Sequence, residues 1–281
     1  MINYILYRIG EFVALRLPLK TAYKIAAFIS DFRYIFAFKD RRRVKENLKA
    51  IFPEKTGREI HQIRRQMFRN FAKYLVDFFR FSKINLEYIE RDIKIESRRY
   101  IDEALAKGKG VVVISAHIGN WELGAVAMNL LGYPLWVVAL PHKYKKVDNF
   151  FNSQREGKGV KVIPLGRAYR ACINIVKKNE LVALAGDRDF SKTGGVVVNF
   201  FGKKAIFPQG PAALSLRTGA MILPVFVVRN NDDSFTLKCG EPIDSNGKEE
   251  MELIDEYKKI IEDYIRQYPD QWYMFRRFWI A

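Results

Sequence analysis

The chain has 281 residues, 49% of them hydrophobic and 14% aromatic, which excludes wholesale disorder and fits one large α/β domain, alone or with a small appendage. Forty-eight Lys and Arg against 31 Asp and Glu leave a charge of +17, a field that attracts anionic partners: nucleic acid, anionic lipid or an acidic carrier protein. Two cysteines and three histidines exclude a disulfide framework and a Cys-rich zinc site, argue against a multi-His metal site, and fit a reducing compartment.

Residues 1–38 read as helical. Ile2, Ile5, Leu6, Ile9, Phe12 and Val13 recur at helical spacing, and Arg8, Glu11, Arg16, Lys20, Lys24, Asp31 and Arg33 break every window long enough to span a bilayer. No basic stretch precedes the apolar run and no small-residue cleavage site follows it, so a signal peptide is not expected. An apolar stripe with basic and aromatic flanks is how an interfacial helix is built, and equally how an amphipathic helix packs on its own domain. Arg41 to Ile51 forms a helix stopped before Pro53, and a longer one runs from about residue 58 to 81 with Ile60, Ile63, Met67, Phe71, Tyr74 and Phe78 on one face. Arg64, Arg65, Arg69 and Lys73 lie off that stripe, as on a solvated face. His61 reads as a surface residue.

From about residue 97 helices and strands alternate. Helices are expected at 97–107, 120–131, 168–178 and 248–267, and strands at 111–115, 135–139, 160–163, 181–185 and 221–228, with an edge strand at 235–239. The uncharged stretch 123–142 is not a span, because Gly132-Tyr133-Pro134 breaks it. The expected fold is α/β: a mostly parallel or mixed sheet with helices on both faces, preceded by an N-terminal helical membrane-associating segment. Residues 1–96 form that segment and 97–281 the core, packed as one unit.

In such sheets chemistry gathers where strands end. One strand end reads Ser115-Ala116-His117-Ile118-Gly119-Asn120-Trp121-Glu122. His117 follows a buried strand, and Glu122 falls in the first turn of the next helix. A carboxylate there reaches back to the imidazole, fixes its tautomer and raises the basicity of the other nitrogen, making a base for a hydroxyl without a metal. The competing reading is a satisfied loop histidine and a glutamate placed by the helix dipole. Neither cysteine has a recognisable His partner, so thiol catalysis is not expected.

The segment Ala116-His117-Ile118-Gly119-Asn120-Trp121-Glu122 resembles the signature of bacterial lipid A biosynthesis acyltransferases, within the glycerolipid and lysophospholipid acyltransferase superfamily. Further blocks resemble the family in order: Arg155-Glu156-Gly157; Gly186-Asp187-Arg188-Asp189-Phe190; Phe200-Phe201-Gly202 with Phe207-Pro208-Gln209-Gly210-Pro211; and Leu223-Pro224. The resemblance implies His117 as general base, Glu122 as the acid that orients it, and Arg155 as an active-site residue. Asp187 and Asp189 are placed to orient Arg155, Arg188 or a substrate hydroxyl, or to serve as a turn and cap. Gly210-Pro211 starts a helix whose free N–H groups suit an anion, or is a plain cap. Arg167 and Arg170 are phosphate contacts or a solvated face, and His142 is a loop residue.

The sequence departs from the family at Arg188, where Gln is common, and at Phe275, where many members have His before the paired Arg276-Arg277. The tail also resembles relatives that acylate mannosylated phosphatidylinositol. The expected activity is transfer of a fatty acyl chain from acyl carrier protein or acyl-coenzyme A to a hydroxyl of a lipid A-type precursor or related glycolipid, with no cofactor or metal. A glycerophospholipid acyltransferase acting on a lysophospholipid is the alternative. A basic peripheral membrane or nucleic-acid-binding protein without catalysis is the reading from another class, although helix-turn-helix, RNA-binding and zinc patterns are missing and nucleic acid is not expected as a partner. The resemblance places the chain at the cytoplasmic face of the bacterial inner membrane, peripheral or weakly anchored to its anionic surface, and the dense Arg and Lys of residues 41–73 are expected to dock to anionic lipid or carrier.

Overall fold

The computed structural model describes residues 2–189 and 195–280. Phe190, and the side chain of Arg167, lie outside the described residues. Four helices come first: α1 (Ile2–Arg16), α2 (Leu19–Phe36), α3 (Phe38–Ile51) and α4 (Gly57–Phe79). Pro18 separates the first two, since a proline there denies α2 a preceding helical turn. Thr56 and Glu59 close a reciprocal capping box at the start of α4. Then follow α5 (Leu86–Asp92), β1 (Ile93–Glu96), α6 (Arg99–Leu105), β2 (Val111–Ser115), α7 (Trp121–Leu130), β3 (Leu135–Ala139) and α8 (Lys145–Glu156). The remainder is β4 (Lys161–Pro164), α9 (Ala168–Val176), β5 (Leu181–Ala185), β6 (Val196–Phe200), β7 (Lys203–Phe207), α10 (Gly210–Thr218), β8 (Met221–Arg229), β9 (Phe235–Cys239) and α11 (Glu250–Gln267).

Seven strands form one sheet in the order β1-β9-β8-β2-β5-β3-β4. All neighbours are parallel except β8 and β9. The period-2 alternation of the strands divides their apolar side chains between two cores. Val112, Ile114 and Val182 face α9, α10 and α11, whereas Val111, Val113 and Leu181 face α6, α7 and α8. Helix α4 serves both, Met67 and Tyr74 entering the first core and Phe78 and Phe79 the second. The expected mixed sheet with helices on both faces is therefore found.

Three expectations change. The strand 235–239 is not at an edge, because β1 pairs with its outer side. Strand β1 belongs to the first 96 residues. Arg65, Arg69 and Lys73 are not an idle solvated face: the two arginines grip Asp31 of α2, and Lys73 binds Asp233 at 2.6 Å. Arg41 is likewise engaged, donating to the carbonyls of Tyr34 and Ile35 at the end of α2. No helix among the described residues is long and apolar enough to cross a membrane.

Candidate active site

Strands β2 and β5 are parallel neighbours with Ser115 paired to Ala185. Two residues beyond each partner stand His117 and Asp187, so the register alone brings them side by side. His117 Nδ1 lies 2.7 Å from Asp187 Oδ1. The other carboxylate oxygen accepts from Trp272 Nε1 at 3.1 Å, and Asp187 is fully buried. With Nδ1–H donated to the carboxylate, Nε2 is left as the acceptor. Burial pulls the His117 pKa below its ordinary value, and the Asp187 charge works against that pull. Burial would raise the Asp187 carboxyl; the adjoining His117, Arg188 and Trp272 outweigh it and hold the pKa well below the usual range. The imidazole is thus neutral at pH 7 and fit to accept a proton.

The loop that carries His117 is fastened from several directions. Tyr273 N donates to the His117 carbonyl at 3.0 Å, Gly119 N to Gln271 O at 2.9 Å, and Asn120 N to Val227 O at 2.8 Å. Gly119 has φ +62°, and a Cβ there would fall 2.0 Å from the Val227 carbonyl oxygen, so no other residue fits without moving β8. Asn120 caps α7 by accepting from Leu123 N at 3.0 Å. Trp121 then stacks on Tyr74 at 4.8 Å and sets its ring 5.0 Å from that of His117.

Glu122 lies in the first turn of α7, as expected, and is buried there, but its carboxylate is paired with Arg155. It accepts from Arg155 Nε at 2.8 Å and Nη2 at 2.5 Å. The orienting contact on Nδ1 comes instead from Asp187. The physical reason is competition: α8, which periodicity did not reveal, presents a guanidinium to Glu122, and a bidentate charge-assisted pair outweighs a single bond to a neutral imidazole. Arg155 Nη1 donates to Asn152 as well, so that guanidinium is occupied on all sides. The Glu122 charge holds the Arg155 pKa above its usual value despite burial, which favours the neutral form.

His117, Glu122 and Arg155 line a cavity of about 940 Å³ at the carboxyl ends of the strands. Arg188, Asp189 and Gly210 line the same cavity. Arg188 Nη2 donates to the Tyr273 carbonyl at 2.5 Å, and its Nε is buried without a hydrogen-bond partner among the described residues. Gly210 and Pro211, which open α10, line the wall. Below this polar rim the walls are apolar: Val113, Ala125, Met128, Leu135, Val137 and Ala183 on the α7 face of the sheet. Phe275 also lines the cavity and packs on Phe68 and Phe71. His142 lines its edge, 4.6 Å from the Phe151 ring. His61 is an exposed residue of α4 beside Arg64, and Arg170 is exposed on α9.

The geometry defines a class: a buried carboxylate, a neutral imidazole and an apolar cavity at the end of a mostly parallel sheet, a base beside a place for a chain. Comparison with known proteins gives the particular family. Residues 1–280 match the model of the bacterial lipid A biosynthesis acyltransferase family. The chain belongs to that family of acyltransferases, as the signature around His117 led one to expect. It is 26% identical to the phosphatidylinositol mannoside acyltransferase of Mycolicibacterium smegmatis over 75% of this chain and 70% of that protein. The corresponding protein of Mycobacterium tuberculosis is 28% identical over 70% of this chain and 64% of its own length. The lipid A biosynthesis palmitoleoyltransferase of Escherichia coli is 25% identical over 83% of this chain and 77% of that protein.

Proposed function

We propose that the protein moves a fatty acyl chain from a thioester donor, acyl carrier protein or acyl-coenzyme A, to a hydroxyl of a membrane glycolipid such as a lipid A-type precursor, with His117 as general base. The observation that carries this reading is the 2.7 Å contact of His117 Nδ1 with Asp187 at the rim of an apolar cavity. The acyl chain lies among Ala125, Met128, Leu135 and Val137, which brings its thioester carbonyl to the rim, where the acceptor hydroxyl donates to Nε2. Nε2 takes the acceptor hydroxyl proton as the oxygen attacks the thioester carbon. The tetrahedral oxyanion is met by donors from residues of the same wall, the Arg188 guanidinium and the Gly210 amide at the start of α10. Collapse breaks the C–S bond, and the imidazolium returns the proton to the departing thiolate. An ester and a free thiol result, with no acyl-enzyme.

In this scheme Glu122 and Arg155 do not touch the proton. They tie α7 to α8 beneath the loop and shape the wall, while Asp189 stands at the rim near Arg188. The names of the relatives favour a glycolipid acceptor.

The same reading places the protein peripherally at the cytoplasmic face of an anionic inner membrane. Phe28, Phe32 and Phe36 of α2 are 75%, 63% and 63% exposed, and Leu6, Ile9 and Phe12 of α1 are exposed as well. Exposed Arg8, Arg16, Lys20, Lys24 and Arg33 border them, an amphipathic surface suited to acidic headgroups. Tyr7 and Arg33 also line the cavity, so this surface runs to its mouth. The docking role shifts from residues 41–73, several of which are spent on internal bonds, to α1 and α2.

The experiment is acyl transfer by purified protein to glycolipid in anionic vesicles, from acyl carrier protein and from acyl-coenzyme A, read as product mass. Transfer that requires His117 supports the proposal; transfer undiminished in His117→Ala refutes it.

A further inference from the structure

A buried polar cluster outside the cavity meets the catalytic loop from behind. Asp77 of α4 is buried and accepts from three elements at once. Asn120 Nδ2 donates to Oδ2 at 2.9 Å. Arg229 Nη2, at the end of β8, donates to the same oxygen, and Tyr23 OH of α2 donates to Oδ1. Arg229 is itself enclosed, its guanidinium 4.8 Å from the Tyr23 ring and 4.6 Å from that of Phe235. Its backbone is clamped by the Gln271 side chain, N donating to Oε1 and O accepting from Nε2, each at 2.8 Å. Gln271 O in turn receives the Gly119 N–H.

A buried ion pair of this kind is weak evidence of stability, because an apolar pair of similar volume does as well or better. What an apolar pair cannot supply is direction. Asp77 offers acceptors only, and they fix the Asn120 amide, whose residue caps α7 and lies three positions after His117. Asn120 thus spends its oxygen on the helix and its nitrogen on Asp77, leaving the loop one orientation.

We infer that Asp77 is a positioning residue for His117, acting through Asn120 and tied by Tyr23 to the apolar-faced helix α2. This rests on the acyl-transfer reading for its consequence, although the positioning itself does not. It assigns a purpose to an ion pair that never reaches the cavity. It also joins the helix proposed to meet the membrane to the loop that carries the base, through a single carboxylate.

The test uses the full chain and three variants. Asn120→Ser keeps a capping oxygen and loses the amide that Asp77 holds; Asp77→Asn and Tyr23→Phe alter the other links. The first readout needs no substrate: the rate at which diethyl pyrocarbonate modifies His117, with His61 and His142 as internal references, by peptide mass spectrometry. Faster modification of His117 alone, severalfold in Asn120→Ser and Asp77→Asn and less in Tyr23→Phe, is expected. The second readout is acyl transfer from palmitoyl-coenzyme A to vesicle glycolipid: kcat should fall by about 10²-fold with KM unchanged, the cost of a base displaced by about an ångström. Asn120→Ser and Asp77→Asn together should lose no more than the worse single variant. An unchanged His117 rate, a parallel rise at all three histidines, or additive losses would overturn the inference. Should the native protein transfer no acyl group from either coenzyme A or acyl carrier protein, the functional reading fails while the modification rates still decide the positioning.

Discussion

His117 and Asp187 occupy equivalent positions on adjacent parallel strands, each two residues past the Ser115–Ala185 pair. The 2.7 Å contact between them is therefore a consequence of sheet register, supported from behind by Trp272 Nε1 on the second carboxylate oxygen. Replacing Asp187 by Asn removes the charge and presents an amide to Nδ1, which favours the wrong tautomer. The expected loss in kcat is about 10²- to 10⁴-fold with little change in KM. Steady-state kinetics with varied acyl thioester measure it.

Glu122 and Arg155 should respond differently. Both side chains are buried, and removing one leaves the other charged and unpartnered. Arg155→Ala is expected to cost about 3–5 kcal/mol of stability. Replacing both by apolar residues of similar volume should recover much of it. Denaturant unfolding of the single and double variants checks this; a fully stable Arg155→Ala would mean the pair is not what ties α7 to α8.

The pH dependence follows from the imidazole. Burial lowers the His117 pKa below 6.5, with Asp187 opposing the shift. The rate should be level above about pH 6.5 and fall only as acid protonates His117. In Asp187→Asn the opposing charge is gone, so the acid limb should move to still lower pH. The same shift links to folding: a histidine held neutral contributes stability that is complete above 6.5 and is lost as pH falls through the lowered value. Profiles of kcat/KM and of unfolding free energy against pH give the two limbs.

The cavity wall predicts chain selection. Ala125 is buried on α7 and lines the apolar part of the cavity. Ala125→Leu fills space there and should shift preference toward shorter acyl chains, at a packing cost of about 1–3 kcal/mol. Competition among thioesters of graded length, read by product mass, is the measurement.

Membrane docking is testable on the exposed rings. Phe28→Ser with Phe32→Ser removes two side chains that touch little of the protein, so melting should barely change. Binding to anionic vesicles should weaken by about tenfold or more, and high salt should weaken the native protein as well. Unaltered vesicle sedimentation would count against α2 as the docking helix.

Much of the sheet was legible because its strands are short, mostly apolar runs bounded by turn residues: 111–115, 135–139, 181–185 and 235–239 are strands with those bounds. Placing His117 at a strand end followed from the same pattern. The carboxylate at Nδ1 was not legible, since which strand lies beside β2 is a property of sheet order that a single chain's pattern does not contain. Glu122 was the near acid in sequence, and the far one, Asp187, arrived through β5. Helix α8 was missed among its lysines, although Val147, Phe150 and Phe151 carry helical spacing; finding it would have supplied Arg155 as the competitor for Glu122. The four-residue β1 offered too few residues for periodicity to register, and the β6–β7 hairpin turns on the polar run Gly202-Lys203-Lys204, which masks the apolar pattern of its second strand.

The most direct measurement is mass spectrometry of membrane lipids from cells producing either the native chain or His117→Ala at equal levels. The account predicts a glycolipid heavier by one acyl group with the native chain and its loss with the variant. The same acylated lipid at undiminished abundance in the variant would contradict the assignment of His117 as the base.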